Sequence, residues 1–348
     1  MFQPLMDKLV RALRTPAPHR PRGDKRISLA LQGGGAHGAF TWGVLDQILD
    51  DGRLAIDSIS GASAGAVNAV MLADGLARGG AQAARERLAE FWRAASFGGN
   101  LPDPQRGVVE RLFSFMPSQG TPWLGTLSRY FSPYDLNPLN INPLNDLIGR
   151  FVDFGAITTG DHDLFVTATN VLTGEPRVFT RDDITAEAVT ASACLPLLFR
   201  AVEIDGAPYW DGGYSGNPTL LPFLDSGASI DVLLVQIIPA RRRKVPTSKR
   251  DIIDRMNEIS FNAPLIAELR ALELSGIGRR LRLHRIVMDD LGEAFDARSR
   301  LNTDFEFFEM LCKLGQRATR RFLDAHFGDI GRHGTIHLAA ERQPELAS

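Results

Sequence analysis

The run ISLALQGGGAHG, residues 27–38, followed one helix-length later by IDSISGASAG, residues 56–65, decides the fold. Ile27 to Leu31 is a short β-rich apolar run that ends in a glycine cluster, and a helical pattern follows from about 36 to 50. Ile56 to Ser60 is a second such run, leading through Gly61-Ala62-Ser63-Ala64-Gly65 into another helix. Strand–helix–strand–helix order predicts a parallel sheet with helices on both faces, the three-layer α/β/α class.

Working outward, further strands are expected at Leu164 to Asn170, Arg177 to Thr180, Arg200 to Ile204 and Val232 to Ile238, the last apolar enough for a central position. Residues 97–145 differ, being rich in Pro, Gly, Asn and aromatics, which suits a cap or lid. The part from 241 to 330 reads as a basic loop (Arg241, Arg242, Arg243, Lys244), a helix from about Asp251 to Ser275, a strand near Leu281 to Val287 and a helix from about Thr303 to His326. The expected division is an arm at 1–26, one domain at 27–330 and a tail at 331–348.

The chain has 348 residues, 44% hydrophobic and 23% charged, enough for a sizeable core. Its formal net charge of −2 provides no overall field to recruit nucleic acid. The arm is the exception, with seven Lys and Arg against Asp7 and Asp24. Phe2, Leu5, Met6, Leu9, Val10 and Leu13 recur there at helical spacing, so residues 1–14 could dock on their own protein or lie on a membrane surface. No stretch has the roughly 18 apolar residues of a spanning helix, and no apolar signal region is evident. Two cysteines, Cys194 and Cys312, are too few for a disulfide framework, and a cytoplasmic location is expected, peripheral at a membrane if the arm binds lipid. Oligomeric state is not legible.

The pentapeptide at 61–65 has the G-x-S-x-G form. A strand-to-helix turn this tight needs small neighbours, Gly61 and Gly65, and lifts the Ser63 hydroxyl clear of the sheet at the positive end of the next helix. Gly33, Gly34 and Gly35, with His37 and Gly38, open a helix where exposed amides suit a developing oxyanion. Gly33, Gly35 and Gly38 also match G-x-G-x-x-G, so a nucleotide-binding protein is a rival. That reading wants an acid at the end of the second strand, whereas Asp57 stands at its start. Asp211-Gly212-Gly213 alone would be an ordinary turn. His284, His326, His333 and His337 all follow Asp211 and allow a histidine-based triad, and His37 adjoins the glycine loop. His333 and His337 find no partners for a metal set.

Taken together these segments resemble the patatin-like phospholipase family. The glycine loop, the serine elbow and Asp211-Gly212-Gly213 come in the family's order, joined by Thr169 to Gly174, Ala191 to Pro196 with Phe199, and Val202 through Asn217-Pro218. The resemblance spans about residues 27 to 220. It implies a Ser63–Asp211 dyad, an oxyanion hole at Gly33, Gly34 and Gly35, and no metal or cofactor. One departure is His37, where members of the family commonly have Arg or Lys. The implied activity is lipid acyl-ester hydrolysis of phospholipase A or lysophospholipase type. A carboxylesterase or thioesterase on a non-membrane acyl substrate is the nearest variant, and an interaction module that has lost catalysis is a further alternative.

Overall fold

The computed structural model describes residues 24–96, 132–137, 140, 142–225, 231–242, 244–274, 281–288, 299–300 and 302–336. The expected helix at 1–14, most of the 97–145 segment, Arg243 and the end of the tail, His337 included, lie outside these residues.

The described residues form one sheet of eight strands: β1 (Lys25–Leu31), β2 (Leu54–Ala62), β3 (Asp163–Asn170), β4 (Pro176–Thr180), β5 (Val202–Ile204), β6 (Ala207–Asp211), β7 (Asp231–Gln236) and β8 (Arg282–Val287). Their spatial order is β5-β6-β3-β2-β1-β7-β8, with β4 paired to β3 off that path. The five from β3 to β8 run parallel. β4 and β6 join β3 antiparallel, and β5 joins β6 the same way. The expected mostly parallel sheet is present, with one strand more than the sequence patterning announced: Ala207–Asp211 is too short and mixed to read as a strand, and it exists because it pairs with β3.

The helices are α1 (Gly38–Asp51), α2 (Ala64–Ala94), α3 (Pro143–Phe151), α4 (Phe154–Thr159), α5 (Ala186–Ser192), α6 (Lys249–Leu274) and α7 (Phe305–His326). Single turns occur at Pro133–Leu136 and Pro222–Asp225. Side chains alternate across the central strands, so each strand feeds two cores. Ile27, Leu29 and Leu31 of β1 join Leu233 and Val235 of β7 in the larger core, under α1, α2 and α7. Ala30, Val232 and Leu234 point the other way, to Leu265 and Leu272 of α6. Burial on both faces explains the continuous apolar runs Leu29–Leu31 of β1 and Val232–Val235 of β7.

α1 and α7 approach closely. A Cβ on Gly43 would lie 1.9 Å from the Cys312 carbonyl oxygen, and one on Gly315 would lie 2.1 Å from that of Phe40. At the starts of β1 and β8 the chain that follows α7 is tied to the sheet: Lys25 Nζ donates to the Ile330 carbonyl at 2.6 Å, and Ile336 N–H donates to Leu283 O at 3.0 Å.

Candidate active site

β2 runs straight into Ser63, whose φ of 54° and ψ of −128° lie outside the regions L-residues prefer. Such a backbone costs about 1–3 kcal/mol and persists only where its surroundings hold it. Here Ser63 N–H donates to Ser192 Oγ at 2.9 Å, and the Ser192 hydroxyl donates to Thr167 O at 2.6 Å. Ser192, fully buried at the end of α5, thus bolts the elbow to β3. The flanking glycines are dictated by space. A Cβ on Gly61 would lie 2.5 Å from Gly65 O, and one on Gly65 would lie 2.1 Å from Leu31 O.

Sheet register brings the second group to the first. β2 ends with Ala62 opposite Thr167, and β6 ends with Asp211 opposite the next residue of β3, Ala168. Ser63 and Asp211 therefore emerge side by side from positions 148 apart in sequence. Asp211 is fully buried. Its N–H donates to Cys194 O at 2.8 Å, its carbonyl accepts from Thr169 Oγ1 at 2.7 Å, and Oδ1 accepts from Gly213 N–H at 2.8 Å. Gly212 packs beneath β3, where a Cβ would lie 1.9 Å from Thr167 O.

Burial pushes the Asp211 carboxyl up to about 7, against the opposing pull of the Ser63 hydroxyl and the Gly213 N–H. Oδ2 has no partner at full hydrogen-bond geometry. The Ser63 hydroxyl lies near enough to this carboxylate to lower its proton affinity. The same carboxylate, second to burial, helps push Cys194 and Tyr214 up to about 12.

The glycine loop lies against the elbow: a Cβ on Gly33 would fall 2.5 Å from Ser63 Cβ. Its N–H is engaged, donating to Asn217 Oδ1 at 2.7 Å. Among the described residues no acceptor engages the N–H groups of Gly34 or Gly35. Gly35 has φ +61°, the left-handed region that suits glycine, with Arg300 O lying across it where a Cβ would come within 2.4 Å. Gln32 holds the start of the loop by accepting from the N–H groups of Ile237 and Ile238, both at 2.8 Å. His37 is buried and within 2.7 Å of Ser299 Oγ through Nε2, and Gly38 packs between Ala64 and Trp92.

Ser63 opens on a cavity of about 220 Å³ walled by Val67, Phe91, Trp92, Leu144, Leu147 and Phe308, among others, and nearly devoid of polar surface. Arg300 stands at its edge, its guanidinium drawn inward to Glu258 at 3.3 Å.

The other sequence candidates are engaged elsewhere. His284 contacts Asp231 at 3.1 Å, and His326 and His333 contact Asp329 at 2.8 and 3.2 Å. Asp57, at the wrong end of β2 for a nucleotide's ribose, accepts from Arg26 at 2.7 Å. Of the basic loop, Arg242 turns inward and forms a two-pronged pair with the buried Glu258 at 2.8 and 2.9 Å. No group of His, Cys, Asp and Glu among the described residues could hold a metal ion. Sequence reading missed Gln32, Ser192 and Arg300 as parts of the site. Ser192 and Asn217 sit inside stretches already noted, but their roles depend on contacts 129 and 184 residues away.

The family model for patatin-like phospholipase matches residues 29–224. Among solved structures, VipD from Legionella pneumophila is similar at 16% identity, over 92% of this chain and 73% of that one, with a TM-score of 0.41. The type III effector ExoU is similar at 16% identity, over 90% of this chain and 54% of that one, with a TM-score of 0.38. In the complex with SpcU from Pseudomonas aeruginosa the figures are 20% identity, 75% and 53%, and a TM-score of 0.28. The chain thus spans about half the length of ExoU. No curated protein matches it.

Proposed function

We propose that this chain, which belongs to the patatin-like phospholipase family, hydrolyses acyl esters of lipids through a covalent acyl intermediate on Ser63. The observation that carries this reading is the meeting of the strained Ser63 and the buried Asp211 at one end of an apolar cavity.

Asp211 Oδ2 takes the Ser63 proton as Oγ attacks the ester carbonyl, and the carbonyl becomes a tetrahedral oxyanion. A free aspartate is too weak a base for this. Burial brings its basicity close to neutral pH, where a catalytic base works best. The N–H groups of Gly34 and Gly35 receive the oxyanion, and one such donor contributes about 3 kcal/mol. Gly33, whose N–H is held by Asn217, sets the loop's distance from Ser63 rather than donating. When the tetrahedral species collapses, the C–O bond to the alcohol breaks and Asp211 returns the proton to the leaving oxygen. A water then attacks the acyl-Ser63 ester, giving its proton to Asp211, and the fatty acid departs as Ser63 is reprotonated. The acyl chain lies along the apolar cavity, each buried methylene adding about 0.8 kcal/mol of binding.

No described helix is long and apolar enough to cross a membrane. Peripheral contact through residues 1–14 belongs to this proposal. The deciding test is labelling with an alkyl fluorophosphonate followed by peptide mapping: one adduct on Ser63 is expected, absent in Ser63→Ala. Labelling that survives that substitution, or full esterase turnover in Asp211→Asn, would remove the dyad.

A further inference from the structure

Helix α6 carries apolar side chains on both long faces, and the described residues cover only one of them. Phe261, Leu265 and Leu272 are buried toward the molecule. On the opposite side Ile252, Met256, Ile259, Ile266 and Leu274 recur at helical spacing, with Ile253 beside them, and all are exposed, Met256 to 61% and Leu274 to 82%. Single exposed apolar residues are ordinary, but a contiguous strip of them marks an interaction site.

The charges decide what it fits. Asp254 and Glu258 of this helix are buried on the inward side. Glu268 is turned in to accept from the N–H groups of Leu220 and Leu221 at 2.9 and 2.7 Å. The outward strip from Ile252 to Ile266 thus carries no carboxylate, in a chain with 41 acidic residues and a net charge of −2. Exposed Lys244 and Lys249 precede it and Arg270 stands near its end, with the partly exposed Asp251 and Glu273 confined to those ends. An acid-free apolar strip between cations is the pattern of a helix lying in a lipid headgroup layer.

We propose that this face of α6 docks the protein on a lipid–water interface, an inference that rests on the lipid-hydrolase reading above. The inward face of the same helix holds the catalytic segment. The Phe261 ring packs at a tilt against Tyr214, centroids 4.8 Å apart, its carbonyl accepts from Asn217 at 3.2 Å, and Glu258 holds Arg300 at the cavity edge. Seating α6 in headgroups would bring the catalytic loops within about one helix diameter, roughly 10 Å, of the acyl layer.

The test compares wild type with Met256→Glu/Ile259→Glu and, independently, Ile252→Glu/Ile266→Glu. Three quantities are read: co-sedimentation with vesicles of equal parts phosphatidylcholine and phosphatidylglycerol, fatty-acid release from those vesicles, and hydrolysis of a monomeric short-chain ester. Sedimentation velocity reports the mass. Both variants should lose vesicle binding and vesicle hydrolysis by at least about tenfold, since two large apolar side chains leave the interface in each. Soluble-ester hydrolysis and mass should stay at wild-type values. Vesicle binding that both variants retain overturns the docking surface. So does a wild-type dimer that the substitutions split while lipid binding is unchanged, because the strip then covers a second copy. A wild type inert toward every ester, yet sedimenting with vesicles through this strip, strikes the hydrolase reading and leaves the surface standing.

Discussion

Gly33 N–H donates to Asn217 Oδ1 at 2.7 Å, joining the glycine loop to the segment that follows Asp211. Asn217 is itself fully buried and anchored through Nδ2 to the Phe261 carbonyl at 3.2 Å. A buried N–H left without an acceptor costs about 1–3 kcal/mol. Asn217→Ala should therefore lower stability by that amount and let the loop drift, reducing kcat by tenfold or more with little change in KM. Thermal melts and steady-state kinetics on one soluble ester check both parts.

Burial holds the Asp211 carboxyl at about 7 in the fold, well above its ordinary value. In the proposed role of base it must be ionised, so kcat/KM should rise with pH through a midpoint near that value and then level. The sign for stability is opposite. Between about 4 and the raised value the folded chain binds a proton that the unfolded chain has released, so stability falls as pH rises through that window. Asp211→Asn removes the penalty. It should be inactive yet more heat-stable than wild type at alkaline pH. A variant less stable there would contradict the assignment of burial as the dominant influence.

Leu144 lines the cavity from α3 while remaining partly exposed. Leu144→Trp should fill cavity volume without straining the core. Each methylene it excludes weakens selectivity for long chains by about 0.8 kcal/mol, roughly fourfold in kcat/KM. A series of esters of increasing acyl length measures this, and an unchanged length profile would show that the chain lies elsewhere.

Asp231, at the start of β7, is buried, which pushes its carboxyl up. Hydrogen bonds from His284, Arg282 and the Gly331 N–H outweigh that and leave it well below the usual carboxylate range. A depressed folded value gives stability that is present above the unfolded pKa and lost as pH falls through the folded one. Asp231→Asn should thus melt well below wild type at neutral pH, by several degrees. The gap should close progressively in acid below about pH 4. Melting curves across that range are the check.

Much of the central architecture was legible because it follows from local chemistry. The β1 and β2 runs, the elbow at Ser63 and the α1 pattern are written in contiguous residues whose periodicity and small side chains leave few alternatives. β6 escaped because Ala207–Asp211 has no periodic signal and is a strand by virtue of pairing with β3. The same division holds in the site. Ser63 is singled out by its own pentapeptide and Asp211 only through the family resemblance, whereas the occupation of Gly33 N–H by Asn217, the brace from Ser192 and the inward turn of Arg242 are nonlocal hydrogen bonds. No linear pattern encodes them.

The glycine-lined crossing of α1 and α7 bears on where this polypeptide can be cut. The match to the family model stops at residue 224, yet Phe308, Leu311, Cys312, Phe322 and Leu323 of α7 belong to the same buried cluster as Val44 and Ile48 of α1. A fragment confined to residues 27–224 would bare that flank of α1 and leave β1 without β7 as its neighbour. It should be recovered as an aggregate, whereas a fragment retaining 27–336 should remain monodisperse. Autonomy of folding here belongs to the longer unit.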